Sequence, residues 1–195
     1  VEMSFFDFLG VLTKHQPDST LYQIVWKIRL PRIIAAVLLG GALSVSGFLL
    51  QSFFQNPIAG PYVLGISSGA KLVVALTMIF LLEKGIMVSS LGMVVAAFAG
   101  SLLAMGFVLL ISFRVSNMSL LVVCGILIGY ICSAITDFCV TFADDSNIVN
   151  LHNWSLGSFS GTSWDNVSVM AVVVFVALFL TFLMSKPISA YQLGE

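Results

Sequence analysis

Apolar residues along this chain gather into long, nearly unbroken blocks, and polar residues gather between them. Five blocks stand out: Ile33–Phe54, Val63–Leu82, Leu91–Ser112, Leu120–Phe142 and Val167–Ser185. A helix crosses the hydrocarbon of a bilayer with roughly 20 mostly apolar residues, so each block predicts one span. The segments between them, Gln55–Tyr62, Glu83–Ser90, Phe113–Ser119 and Ala143–Asn166, are short, and none is charged enough to mark a second domain. The pattern therefore predicts an all-α fold, a polytopic transmembrane helix bundle. A large soluble core also excludes charge, but it rarely builds five helices of spanning length in series.

Charge placement strengthens this reading. Of 195 residues, 59% are apolar and 9% charged, against about 25% charged in a soluble domain. Among the eight basic and nine acidic residues, only Lys71 and Asp137 fall inside the five blocks, as expected where a charge at mid-bilayer is costly. A mean hydropathy of +1.08 excludes a disordered chain, and a net charge of −1 offers no electrostatic footprint for nucleic acid. Cys124, Cys132 and Cys139 lie in one block, where thiols behave as small hydrophobes. Neither they nor the distant His15 and His152 have the spacing of a metal site. Phe5–Leu12 is an apolar run broken by Asp7, with no positive leader before it, so it reads as an interfacial segment and not as a signal peptide. Both ends of the sequence read as cut.

Small residues predict how the spans pack. Ala36, Gly40 and Ser44 form one row at four-residue spacing, and Ala96, Gly100 and Ala104 form another; such rows let helix backbones approach closely in lipid. Gly125, Gly129, Ser133, Asp137 and Thr141 also recur every four residues and so share one slowly drifting face. That face is expected to point inward. Asp137 there either serves a wet pathway or makes a structural hydrogen bond to a neighbouring helix.

The most specific signal runs from Trp26 to Ala70. Arg29-Leu30-Pro31-Arg32 opens a span that passes through Gly40-Gly41-Ala42-Leu43 and Ser46-Gly47 to Gln51. Asn56-Pro57-Ile58-Ala59-Gly60-Pro61 follows, then Leu64-Gly65-Ile66-Ser67-Ser68-Gly69-Ala70. Pro57 and Pro61 force the chain out of helix, since each lacks a donor and restricts the residue before it, while Gly65 and Gly69 allow tight packing as the next helix begins. Further on come Cys124-Gly125-Ile126, then Trp154-Ser155-Leu156-Gly157-Ser158-Phe159-Ser160-Gly161 with Ser163-Trp164, and finally Leu193-Gly194-Glu195. In this order the segments resemble the membrane permease family of ABC importers for iron–siderophore complexes, haem and cobalamin. The family pattern reads RLPR, a Gly/Ala-rich span ending near Gln, NPLA-x-P, LG-x-SSGA and W-x-x-GS-x-SG-x-SW. The resemblance covers nearly the whole chain. Because family members have ten spans, residues 1–195 are expected to form a partial transmembrane domain, with an external segment over 1–32 followed by the second to sixth spans.

The resemblance implies a permease subunit that imports ferric siderophore complexes, with haem or cobalamin as the alternative cargo. It implies no catalytic residue, metal or cofactor on this chain, since ATP and Mg bind a partner ATPase. The partners implied are a second permease chain (homodimer or paired homologue), ABC ATPase subunits, an extracytoplasmic substrate-binding protein and membrane lipid. The location implied is the bacterial plasma (inner) membrane. Arg29 and Arg32 would dock carboxylates of the binding protein, as a guanidinium pair on a rim can, or would anchor lipid headgroups. Gln51, Gly129, Ser133 and Asp137 would line the translocation pathway. Asn117, Met118 and Ser119 would lie near its cytoplasmic gate or form an ordinary polar turn. Asn56, Pro57, Pro61 and Gly65 would make the motif turn, and Leu193, Gly194 and Glu195 would face the ATPase. Three positions depart from the pattern. Gly60 stands where an acid is common, Asp137 where a small polar residue is expected, and Lys71 is unusual after SSGA and is expected to snorkel to the cytoplasmic surface.

Orientation carries a conflict. Lys14, Lys27, Arg29, Arg32 and Lys84 share one side, with Arg114 and Lys186 on the other, so the positive-inside rule alone places the N-terminal segment in the cytoplasm. The resemblance places it outside, and a docking use for Arg29 and Arg32 favours that choice. Two rival functions are weaker. An ion-coupled secondary transporter would use Asp137 as proton carrier and the Pro57/Pro61 break as a discontinuous helix. An intramembrane enzyme would need a nucleophile and base at depth, and no His lies in any block. Gly65 to Lys71 mimics a phosphate loop, but its spacing is wrong for G-x-x-x-x-G-K-[ST].

Overall fold

The computed structural model describes residues 19–86 and 88–193; the apolar run near the N-terminus lies outside them. The described residues form seven helices and no strand. Helix α1 spans Thr20–Phe54, α2 Ile66–Glu83, α3 Ser90–Ser112, α4 Met118–Thr141, α5 Asp145–Leu156, α6 Trp164–Leu183 and α7 Ser185–Leu193. Four of them, α1, α3, α4 and α6, are long and apolar enough to cross a membrane. The predicted second span is the shorter helix α2, apolar over Ile66–Leu81. It starts at Ile66 and not at Val63 because residues 61–65 are spent on turns.

The first helix begins earlier than the apolar block suggests. Ser19 caps it, its hydroxyl accepting the Tyr22 N–H at 3.1 Å, which satisfies a donor that the first turn would leave orphaned. The helix then widens into one π turn over Val25–Arg29, where the Leu30 N–H reaches the Val25 carbonyl. Pro31 supplies the reason. It has no N–H to donate, and its ring crowds the carbonyl four residues back, so the wider turn absorbs the mismatch. Arg29-Leu30-Pro31-Arg32 therefore sits inside a continuous 35-residue helix.

The chain divides into two compact units, residues 1–45 with 158–195, and residues 46–157. In the second unit, the end of α1 and the loop after it pack into an apolar core. Phe54, Ala59 and Leu64 are buried there with Val108 of α3 and Leu121 and Val122 of α4. A second core joins Val74, Ala75 and Met78 of α2 to Leu151 of α5. Helix α5 has 12 residues, about 18 Å at 1.5 Å per residue, too short to cross roughly 30 Å of hydrocarbon. Large apolar side chains such as Phe98, Leu102 and Phe107 on α3 and Val172, Phe175 and Phe179 on α6 face outward, as they do on helices bathed in lipid or covered by further protein.

The glycine rows separate into two kinds. Around Gly100 the prediction of close packing holds: a Cβ on Gly69 of α2 would sit 2.7 Å from the Gly100 carbonyl oxygen and 2.6 Å from the Ala104 Cβ. The row Ala36, Gly40, Ser44 is exposed instead, with open space beside Gly40. No described helix fills that groove.

Candidate functional site

In the first unit, the RLPR segment and the loop before α6 are tied together. The Arg32 guanidinium donates to the Ser160 carbonyl at 2.7 Å, and the Trp164 indole N–H donates to the Trp26 carbonyl at 2.8 Å. Trp26 also stacks on Tyr22, ring centroids 5.8 Å apart. Ser163 starts α6 by accepting the Asn166 N–H at 3.3 Å. Arg32 thus holds a structural bond as well as a position on this rim, with its Nε buried. Arg29, half-buried, belongs to the π turn.

In the second unit, the motif turn and the start of α4 meet around one core. Helix α1 ends when Asn56 N–H bonds the Gln51 carbonyl at 3.1 Å and Gln55 N–H bonds that of Ser52 at 3.3 Å. This pair closes a helix whose next residue is left-handed, here Gln55 with φ 48°. The Asn56 side chain then accepts the Ile58 N–H at 3.0 Å across Pro57. After Pro61, Gly65 turns with φ 73° and lies directly on α4; a Cβ there would be 2.7 Å from the Gly129 nitrogen. Asn117 caps α4, its side-chain oxygen accepting the Ser119 N–H at 3.0 Å and that of Leu120 at 3.3 Å, while Met118 packs on the same core as Leu64. The structure therefore brings the motif turn and residues 117–119 together.

The four residues expected to line a pathway are not on one face. Gly129 is buried against Gly65, so it serves helix contact and lines no open path in this unit. Ser133 bridges to Ser68 of α2, their hydroxyls 3.4 Å apart. Gln51, Asp137 and Thr141 are exposed. The row Gly125, Gly129, Ser133, Asp137 and Thr141 does not keep one contact along its length. Each four-residue step turns about 40° beyond a full helical turn, so by Asp137 the row has rotated out of the contact that Gly125 and Gly129 make. Leu193 ends α7; Gly194 and Glu195 lie outside the described residues.

Lys71 lines a cavity of about 510 Å³, together with Ser67 and Ser68 of α2, Ser101 of α3, Ser133 of α4 and Ser155 of α5. Tyr62, Trp154, Ile66 and Ala70 complete its lining, and no carboxylate lines it. Sequence reading missed this group because it is drawn from four helices. A local signal existed: Ser67, Ser68 and Lys71 stand three and four residues apart, on one side of a helix. Among the described residues, no cluster of His, Cys, Asp and Glu has the arrangement of a metal site, and all three cysteines are free.

Long apolar helices, packed through glycines around a polar cavity, make this a multi-pass α-helical membrane protein. The model of the FecCD transport family matches residues 1–195, and the chain belongs to that family. It is 37% identical over 172 residues to the vitamin B12 import system permease protein BtuC of Klebsiella pneumoniae, covering 88% of this chain and 50% of that one. It is 36% identical over 172 residues to BtuC of Escherichia coli O6:H1, covering 88% and 51%. The chain thus spans about half the length of these curated relatives. A solved structure described as an inward-facing conformation of a metal-chelate type ABC transporter shares the fold, with a TM-score of 0.77 at 23% identity, covering 95% of this chain and 63% of that one.

Proposed function

We propose that the chain forms part of the membrane-spanning permease of a bacterial ABC importer in the plasma (inner) membrane, and that its cargo is a ferric siderophore complex. The observation that carries the reading is the family match over all 195 residues, on a fold whose helices are long and apolar enough to span. In this reading the rim holding Arg29, Arg32, Trp26 and Trp164 is extracytoplasmic and receives a substrate-binding protein. The motif turn and Asn117–Ser119 lie toward the cytoplasm, and the end of α7 leads to the ATPase. Asp137, Gln51 and Ser133 serve a pathway shared with a second permease chain. ATP and Mg act on the partner ATPase, and this chain supplies positioning and a moving wall.

A cobalamin cargo is the second reading, favoured by the two BtuC relatives. Reconstituting the full-length permease with its ATPase and binding protein in proteoliposomes, and measuring uptake of radiolabelled ferric siderophore and cobalamin, separates the two. ATP-dependent uptake of the iron complex supports the first. Uptake of cobalamin alone supports the second, and uptake that collapses with the proton gradient and needs no ATPase overturns both. Binding-protein stimulation of ATP hydrolysis in Arg29→Glu tests docking: undiminished stimulation at low salt removes that role.

A further inference from the structure

We propose that Lys71 and the serine cavity around it form a subsite for an anionic group of the transported molecule, making Lys71 a determinant of cargo charge. The proposal rests on the reading of the chain as an import permease. Its basis is the cavity itself, about 510 Å³ in volume, within the several-hundred Å³ range of small-ligand sites. One cation lines it and no carboxylate does.

The hydroxyls divide by what their protons already do. Ser101 donates to the Ala97 carbonyl at 2.9 Å, Ser155 to that of His152 at 2.8 Å, and Ser133 to the Ser68 hydroxyl. The Ser68 and Ser133 hydroxyls face each other at 3.4 Å, where one proton suffices for the bridge and the other can turn to a ligand, and Ser67 stands beside Ser68 on the first turn of α2. An ammonium flanked by hydroxyl donors is a receptor for a carboxylate, catecholate or phosphate oxygen. A cation among membrane helices is costly unless water or an opposite charge solvates it, and such residues mark substrate paths. The cavity supplies the water, and the cargo supplies the charge. The site is open in character, so the anion passes through and is not trapped.

Two measurements on the full-length permease test this. The first is ATP-dependent uptake, with ATPase and binding protein, in vesicles of phosphatidylcholine alone, using an anionic ferric tris-catecholate and an uncharged ferric tris-hydroxamate. Lys71→Gln is expected to lower uptake of the anionic complex about tenfold and leave the uncharged one unchanged, with Lys71→Arg retaining both. Equal effects on both complexes, or none on either, overturn the proposal. An effect of Lys71→Gln that emerges only when phosphatidylglycerol is added assigns the anion to lipid headgroups and also overturns it.

The second measurement does not depend on cargo. With Cys124, Cys132 and Cys139 changed to Ala, Ser101→Cys or Ser133→Cys is labelled with a negatively charged and a positively charged methanethiosulfonate. The Lys71 background is expected to favour the negative reagent about tenfold more than Lys71→Gln does. No labelling at either position in a monodisperse protein, or labelling blind to reagent charge, overturns the site. If wild type takes up neither iron complex while labelling stays charge-selective, the cargo reading fails and the anion site stands.

Discussion

Trp164 and Trp26 are joined across 138 residues of chain, the indole N–H of the first donating to the carbonyl of the second at 2.8 Å, with ring centroids 6.4 Å apart. The start of α6 thereby lies beside the start of α1. Trp164→Phe keeps an aromatic six-membered ring but removes the pyrrole half of the indole with its donor, so it is expected to cost about 1 kcal/mol or more, read as a lowered Tm of the purified full-length permease. Trp164→Ala should cost more. Equal Tm for Trp164→Phe and wild type would show that neither the bond nor the lost ring volume carries net stability.

Arg32 makes a related prediction. Its guanidinium reaches the Ser160 carbonyl at 2.7 Å, so Arg32→Gln should lower Tm by the equivalent of about 1 kcal/mol in the absence of any partner protein. A charge reversal at Arg32 then confounds docking with folding. Measuring Tm beside binding-protein-stimulated ATP hydrolysis separates the two, and an unchanged Tm would leave docking as the explanation of any loss.

Gly65 combines a close backbone approach with a left-handed turn. Its φ of 73° suits glycine, and a Cβ would meet the Gly129 nitrogen at 2.7 Å and the Gly125 carbonyl oxygen at 2.8 Å, all backbone atoms that cannot rotate away. Gly65→Ala is therefore expected to cost about 3 kcal/mol or more. It should fail to yield a monodisperse permease or should lower Tm sharply. Gly60→Ala, with open space around it, is the control and should fall within about 0.5 kcal/mol of wild type.

These residues show what the sequence made legible. Each apolar block coincides with a helix, four of them of spanning length and the second shorter, because hydrocarbon forbids charge over a length the chain must match. Pro57 and Pro61 marked the break after α1, and Gly65 and Gly69 marked close contact, since each acts through local backbone chemistry. What the sequence left hidden was set by tertiary rotation or distance. The four-residue row ending at Asp137 looked like one face but turns out of its contact along α4. The start of α1 was hidden because Lys27, Arg29, Pro31 and Arg32 interrupt the apolar pattern, although a π turn carries the helix through them. The Lys71 cavity was hidden because Ser101, Ser133 and Ser155 come from three other helices.

Gln55 offers a prediction in the stabilising direction. It is the residue just past the end of α1, held at φ 48° by the two bonds that close the helix, Asn56 N–H to the Gln51 carbonyl and Gln55 N–H to that of Ser52. The left-handed conformation costs an L-residue roughly 1–2 kcal/mol, and glycine occupies it freely, at an entropic cost of about 0.5–1 kcal/mol in the unfolded chain. The difference leaves Gln55→Gly more stable by about 0.5 kcal/mol, read as a small rise in Tm of the full-length permease. Gln55→Val, branched at Cβ, should move Tm the opposite way and by more. The Gln55 side chain is exposed and makes no hydrogen bond among the described residues, so neither change removes a contact. If Gln55→Gly lowers Tm, the left-handed turn is not the strain that its angle indicates.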